Sequence, residues 1–253
     1  MKSILMTLTA LLFAASAFAA EGTVSLSPAV IMLRGEAGQS TTQTLFVRNG
    51  TSRKLTFEVS AQDVVVRDGV RAMLPAGEIP ASVAATAVFS ERRVMVAPGE
   101  MAPVTMRITI PPNATTRAVV ALFRGTDRFV NGSLSSTASL GALLTFALSD
   151  EVLMTAEPLR VQEQSPTSNL AVAQICRNSG SEPLIAKGML AVIGEDGRIA
   201  GKAALQPKRL LPGETAQLGA EYAAELQPGK YRLLLTYNYE QSAMTQSAEI
   251  DVR

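Results

Sequence analysis

Short runs of alternating apolar and polar residues dominate the chain, and turn residues separate them at intervals of about 8–12 positions. In Leu55–Val59, for example, Leu55, Phe57 and Val59 fall on one face of a strand. No stretch has a convincing helical periodicity, so the crossover helices that a parallel sheet needs are missing. The pattern therefore predicts an all-β protein built from sandwiches.

Four turn signals occur in the same order in each half of the chain, which predicts two copies of one immunoglobulin-like sandwich. The first copy would end near Glu157-Pro158, after a strand over Ala142 to Thr155, and has an extra loop, Leu74 to Pro80. That loop is either a binding insertion or a plain surface connection. The predicted domains are 20–158 and 159–253. The signals are Asn49-Gly50, Asp68-Gly69, Pro98-Gly99-Glu100 and Pro112-Asn113, then Asn178-Ser179-Gly180, Asp196-Gly197, Pro212-Gly213-Glu214 and Pro228-Gly229.

The first 19 residues have the three parts of a secretory signal peptide. Lys2 supplies the positive start, Ile4 to Phe13 is mainly apolar, and Ala17-Phe18-Ala19 places small residues at the cleavage site. The apolar run is too short to span a bilayer of about 30 Å. We therefore expect cleavage after Ala19, a periplasmic mature protein and no membrane insertion.

The composition excludes several functions. The chain has no histidine, so the commonest general base and metal ligand is missing, and no enzyme activity, cofactor or metal site is predicted. Loss of Lys2 with the signal leaves 22 basic against 22 acidic residues, which argues against a nucleic-acid partner. The single cysteine, Cys176, is either a small buried core residue or a free thiol that pairs with a partner.

Three stretches give the chain a resemblance to periplasmic pilus-assembly chaperones of the chaperone–usher type. They are Val24 to Asn49, which resembles the first strands of that family, Arg117 to Arg124, and Leu143 to Pro158. The resemblance implies a chaperone that donates a β-strand to secreted pilus or surface-fibre subunits, with an outer-membrane usher as a further partner. The competing hypothesis is a non-catalytic structural or adhesive envelope module that binds one fixed protein.

The resemblance also implies which residues meet the client. Counted back from Pro158, the donor positions fall on Leu144, Phe146 and Leu148, all apolar. Period-two alternation alone does not decide whether this set or Leu143, Thr145 and Ala147 faces outward, and the resemblance favours the first set. The two basic residues with which the family holds a client carboxylate fall on Val30 and Leu153, neither of which is basic. Arg34 is the nearest candidate anchor.

Overall fold

The computed structural model describes residues 23–126, 129–131, 134–162 and 170–252. This part of the chain contains 21 β-strands and one 3-10 helix, Ala84–Thr86, and it forms two sandwiches in tandem. The predicted fold class, all-β with two immunoglobulin-like sandwiches, is confirmed. The predicted signal peptide, 1–19, lies outside the described residues. Within the described residues, no helix has the length and apolar character needed to cross a membrane.

The first sandwich has two sheets. Its smaller sheet has the order β1 (Val24–Ser27), β3 (Ser40–Asn49), β8 (Met101–Thr109) and β6 (Val88–Phe89). Its larger sheet has the order β2 (Val30–Arg34), β12 (Ser139–Ala147), β9 (Ala118–Gly125), β4 (Leu55–Arg67) and β5 (Val70–Pro75), with β7 (Arg93–Val96) also on β4. A two-stranded ribbon, β10 (Phe129–Asn131) and β11 (Leu134–Ser136), lies between β9 and β12 in sequence.

The second sandwich repeats this plan. In one sheet, β13 (Met154–Ala156), β14 (Arg160–Gln162) and β19 (Thr215–Tyr222) pair with β15 (Leu170–Asn178). The other sheet has the order β17 (Ile199–Ala204), β16 (Leu184–Gly194), β20 (Gly229–Tyr239) and β21 (Ser242–Val252), with β18 (Lys208–Leu210) on β16. Each sandwich encloses its own apolar core.

The duplicated turn signals correspond to duplicated contacts. The buried Asn49 amide donates to the carbonyl oxygens of Arg53 and Val96, while its backbone bonds Gly99 and Glu100. The buried Asn178 amide donates to the carbonyl oxygens of Glu182 and Leu210, while its backbone bonds Gly213 and Glu214. Gly99 and Gly213 both have a positive φ, 76° and 78°, which glycine adopts without strain. Each asparagine therefore ties the end of one strand to the loop before another.

The boundary between the sandwiches lies earlier than the sequence pattern predicts. The strand predicted over Ala142 to Thr155 is interrupted, because β12 ends at Ala147 and β13 begins at Met154. Met154 pairs with Asn178 and belongs to the second core, whereas Leu148 packs against the first. The chain thus crosses between Leu148 and Val152, and the predicted boundary at Pro158 is too late. The local pattern missed this because both strands are apolar and only their partners distinguish them.

The extra loop after β5 is fastened to the first sandwich. The buried Asp63 carboxylate on β4 accepts hydrogen bonds from the Ser82 hydroxyl and from the backbone N–H groups of Val83 and Ala84. Ser82 Oγ also accepts a hydrogen bond from Gly77 N at 2.9 Å. These contacts fix both ends of the segment, so the structure favours the surface connection over a free binding loop.

Candidate functional site

The strand expected to meet a partner, β12, directs Leu144 and Phe146 inward. Leu144 and Phe146 are 0% exposed in the first core, and Leu148 packs half-buried against the same core. The expectation that these three side chains face outward is therefore wrong. The reason is their position between the two sheets, where period-two alternation directs the even-numbered side chains of β12 into the sandwich.

The backbone of β12 has an open edge instead. Phe146 N bonds Arg117 O, and Gly125 N bonds Ala138 O, so even-numbered residues direct their polar groups towards β9. Leu143 N bonds Ala29 O, so odd-numbered residues direct theirs towards β2. Strand β2 begins only opposite Leu143. Within the described part of the chain, no strand pairs with Ser139 and Gly141 on that side, so their N–H and C=O groups point to an unpaired edge. Strand β1, which belongs to the other sheet, lies close to β12 but does not pair with it.

Along this edge, small exposed residues alternate with apolar residues that contact the first core. Ser139 and Gly141 are exposed, whereas Leu140 is half-buried against the first core and Ala142 is buried in it. A strand laid beside Ser139 to Ala142 would lie in line with β2, which runs parallel to β12. Sequence reasoning missed Ser139, Leu140 and Gly141, because the open edge depends on where β2 begins and no local pattern reports that.

An apolar contact joins the two sandwiches below this edge. Val64, Ala118 and Val120, on the outer face of the larger first sheet, pack with Leu211 of the second sandwich, and Val66 and Leu143 lie against them. At one end of the contact, Thr215 N donates to Gly69 O at 2.9 Å. The outer face of β12 and β9 therefore forms one wall of the junction between the sandwiches.

Two buried carboxylates of the second sandwich bind arginines of the first. Glu182 accepts from Arg117 Nε at 3.0 Å and also from Leu148 N, while only 2% of its side chain is exposed. Glu214 pairs with Arg71 Nε at 2.9 Å and accepts from Leu211 N. Both pairs therefore link the two sandwiches, and the Arg117–Glu182 pair has the less solvent contact of the two.

The candidate anchor Arg34 is already bound to two carboxylates. Its guanidinium lies 2.5 Å from Asp150 Oδ1, in the segment between the sandwiches, and 3.1 Å from Glu240 Oε2 of the second sandwich. The hydrogen bond to Asp150 is the main cause that raises the pKa of Arg34, followed by the charge of Asp150 and by Glu240. A client carboxylate would have to compete with both acidic groups. The anchor role of Arg34 therefore stays a prediction, and its two existing ion pairs argue against that role.

The two positions where the resembled family has basic residues are apolar and largely exposed. Val30 is 55% exposed and lies opposite Leu143 on β12. Leu153 is 53% exposed, but it precedes β13 and its carbonyl accepts from Ser179 N and Gly180 N. Leu153 is therefore not a β12 residue. The positions of β12 that face β2 run from Leu143 to Ala147.

Cys176 is fully buried in the second core. Burial raises the pKa of its thiol, a change that a contact with the Tyr237 hydroxyl partly offsets. The structure thus bears out the interpretation as a core residue, and a buried neutral thiol is not available to a partner. Among the described residues, no group of three or more Cys, Asp or Glu side chains is arranged to hold a metal ion.

No model of a known protein family matches the chain, and no curated protein sequence matches it. Among solved structures it is similar to the class 5 fimbriae chaperone CfaA, with 13% identity, TM-score 0.47, and coverage of 89% of this chain and 98% of that one. It is also similar to the CsuC-CsuE chaperone–tip adhesion subunit pre-assembly complex of Acinetobacter baumannii, with 8% identity, TM-score 0.44, and coverage of 89% and 98%. It is similar as well to the Pseudomonas aeruginosa CupB2 chaperone, with 10% identity, TM-score 0.38, and coverage of 90% of this chain and 100% of that one.

These are chaperones of the class that the sequence resembles. At such identities and TM-scores the likeness carries no argument about the function of this chain. The open edge of β12 and the junction between the sandwiches are the features of this chain that bear on its function.

Proposed function

We propose that the chain is a non-catalytic periplasmic chaperone that binds secreted pilus or fibre subunits by strand pairing at the open edge of β12. The observation that carries the proposal is the backbone of Ser139 and Gly141, whose N–H and C=O groups point away from β9 where β2 has not yet begun. A sheet edge of this kind pairs readily with an extended segment of another chain. The signal-like sequence of residues 1–19 supports the periplasmic location.

The edge offers both backbone pairing and an apolar contact. Four free backbone groups at about 0.5–1.5 kcal/mol each would give roughly 2–6 kcal/mol before the cost of association. A side chain of the incoming strand that packs over Leu140 would add the burial of a partly exposed apolar surface. The donor surface proposed here is therefore Ser139 to Ala142 rather than Leu144, Phe146 and Leu148.

The position of β2 favours one direction for the client strand. Since β2 runs parallel to β12, a client strand in the same direction would end at Ala29 and Val30, where β2 begins. Its carboxyl end would then meet the exposed apolar Val30 rather than a basic residue. Two ion pairs of the junction link the second sandwich to the sheet that contains this edge. An outer-membrane usher is a further partner that would receive the loaded chaperone.

A proline substitution tests strand pairing directly. Ser139→Pro removes an N–H that points to the open edge and breaks no backbone bond to β9, and proline is tolerated at the first residue of a strand. Ser139→Thr is the matched control, since it keeps the N–H and favours strands. With a purified fibre subunit as client, Ser139→Pro should weaken binding about three- to tenfold, the equivalent of one hydrogen bond, while Ser139→Thr binds as the original chain does.

Amide hydrogen exchange provides a second measurement on the same complex. The amides of Ser139 and Gly141 should exchange fast in the free chain and slowly in the complex, while the amide of Ala142, already bonded to β9, changes little. Fast exchange of both edge amides in a stable complex would refute pairing at this edge. The chain should also be absent from the finished fibre, whereas its presence there as a stoichiometric component would favour the structural or adhesive module.

A further inference from the structure

Arg209, on β18, lies in the junction on the side of the second sandwich that faces the first. Its neighbour Leu210 is fully buried in the second core, so alternation along the strand directs Arg209 and Leu211 to the other side. Leu211 packs there against Val64, Ala118 and Val120 of the first sandwich. Arg209 is therefore a cation at the contact between the sandwiches, beside strand β5.

A second arginine lies next to it. Arg71 Nη2, from β5, donates to Arg209 O at 2.7 Å. The charge of Arg71 is matched, since its Nε pairs with Glu214 at 2.9 Å. Glu214 also accepts a hydrogen bond from Leu211 N at 2.8 Å. The carboxylate nearest to Arg209 in the chain thus accepts from Arg71 and Leu211, and no hydrogen bond joins it to Arg209 among the described residues.

The Arg209 guanidinium has donors without acceptors. Its Nε and Nη1 atoms are buried, and no hydrogen-bond partner for them lies among the described residues. These two atoms carry three N–H donors. Burial lowers the pKa of Arg209, and the charge of Arg71 lowers it further. A desolvated cation beside a like charge is costly unless an anion neutralises it.

We infer that Arg209, with Arg71 beside it, forms a binding site for a carboxylate or a small oxyanion at the junction between the sandwiches. Arginine presents a planar set of donors that suits both groups. The residue is half-buried and 32% of the Arg71 side chain is exposed. A ligand would therefore approach from the side of Arg71, and it would have to displace the groups that cover the buried Nε and Nη1 atoms of Arg209. The inference is independent of the β12 edge, and the anion can come from a bound protein or from solution.

The test compares two anions, a free oxyanion and a peptide carboxylate, as ligands of the site. The ionic strength is held constant with a chloride salt. One arm titrates the mature chain with inorganic phosphate. The other uses an N-acetylated tripeptide with either a free or an amidated C-terminus. Binding is followed through the arginine Nε–H resonances and through the melting temperature. The variants are Arg209→Gln and, as the matched control, Arg198→Gln, since 89% of the Arg198 side chain is exposed at a surface pair.

Saturable binding of phosphate or of the free-acid peptide, weakened at least tenfold by Arg209→Gln and unchanged by Arg198→Gln, supports the site. Binding by phosphate alone identifies a free oxyanion as the ligand, and binding by the acid but not the amide identifies a peptide carboxylate. In chloride, Arg209→Gln should melt at or above the temperature of the original chain, because it removes an unneutralised buried cation. The inference is overturned if neither probe saturates, if all three proteins respond alike, or if Arg209→Gln melts several degrees lower in chloride.

Discussion

The buried pair Arg117–Glu182 should hold the two sandwiches together far more strongly than the exposed pair Arg34–Asp150. Glu182 lies in the loop that follows Asn178, whose side chain fixes the Glu182 carbonyl at 2.8 Å. Its carboxylate accepts from Arg117 at 3.0 Å, from Leu148 N at 3.1 Å and from Ser149 Oγ at 3.3 Å. Three donors of the first sandwich and the connecting segment thus converge on one carboxylate.

Glu182→Ala leaves Arg117 without its counter-charge at a site where only 17% of that side chain is exposed. Removal of one partner from a buried pair costs about 3–5 kcal/mol. Because Arg117 keeps its bond to Ala114 O at 2.8 Å, we expect the lower part of that range. Asp150→Ala is the comparison, and it should cost little because solvent and salt screen the exposed pair.

The assay is urea unfolding of the mature chain, with the free energy of unfolding compared at low and at high salt. The double variant Arg117→Met with Glu182→Leu should recover much of the lost stability, since an apolar pair replaces a buried ion pair at little cost. A loss below about 1 kcal/mol for Glu182→Ala, or a loss equal to that of Asp150→Ala, would refute the reasoning that burial makes this pair the stronger one.

Three further predictions follow from the two cores. Phe146→Ala should cost about 3–5 kcal/mol in thermal or chemical unfolding, and a nearly unchanged stability would contradict its place in the first core. Cys176 should resist a thiol reagent until the chain unfolds. Because burial raises the folded pKa of this thiol, the free energy of unfolding should be constant below the ordinary thiol pKa of about 8.5 and should fall as the pH rises above it. Cys176→Ala should reduce this fall, and a fall of the same size in the variant would indicate that the thiol is exposed. A fragment over 150–253, which retains Met154, should give a dispersed amide spectrum, and one over 159–253 should be less stable; equal stability would remove β13 from the second core.

The class of fold and its duplication could be predicted from the amino-acid sequence alone. Strand periodicity reports alternation directly, and the Asn49 and Asn178 turns carry their own chemistry, because a short amide side chain and a glycine with positive φ close the same loop in both halves. Such signals depend only on residues that are close in sequence, so they can be recognised without knowing which other strands pack against them. Alternation also places Cys176 on one face of its strand, but the structure is what shows that this face is buried.

The buried face of β12, the boundary between the sandwiches and the charged groups of the junction could not be predicted from the sequence, because they depend on long-range contacts. Alternation separates Leu144 and Phe146 from Leu143 and Thr145, but it does not say which set lies between the sheets. The open edge at Ser139 depends on where β2 begins, and β2 lies more than 100 residues earlier in the chain. No sequence pattern singles out Arg209, because the burial of its unpaired N–H donors depends on residues that are distant in the chain. Long-range contacts decide these features, and a local pattern contains no information about them.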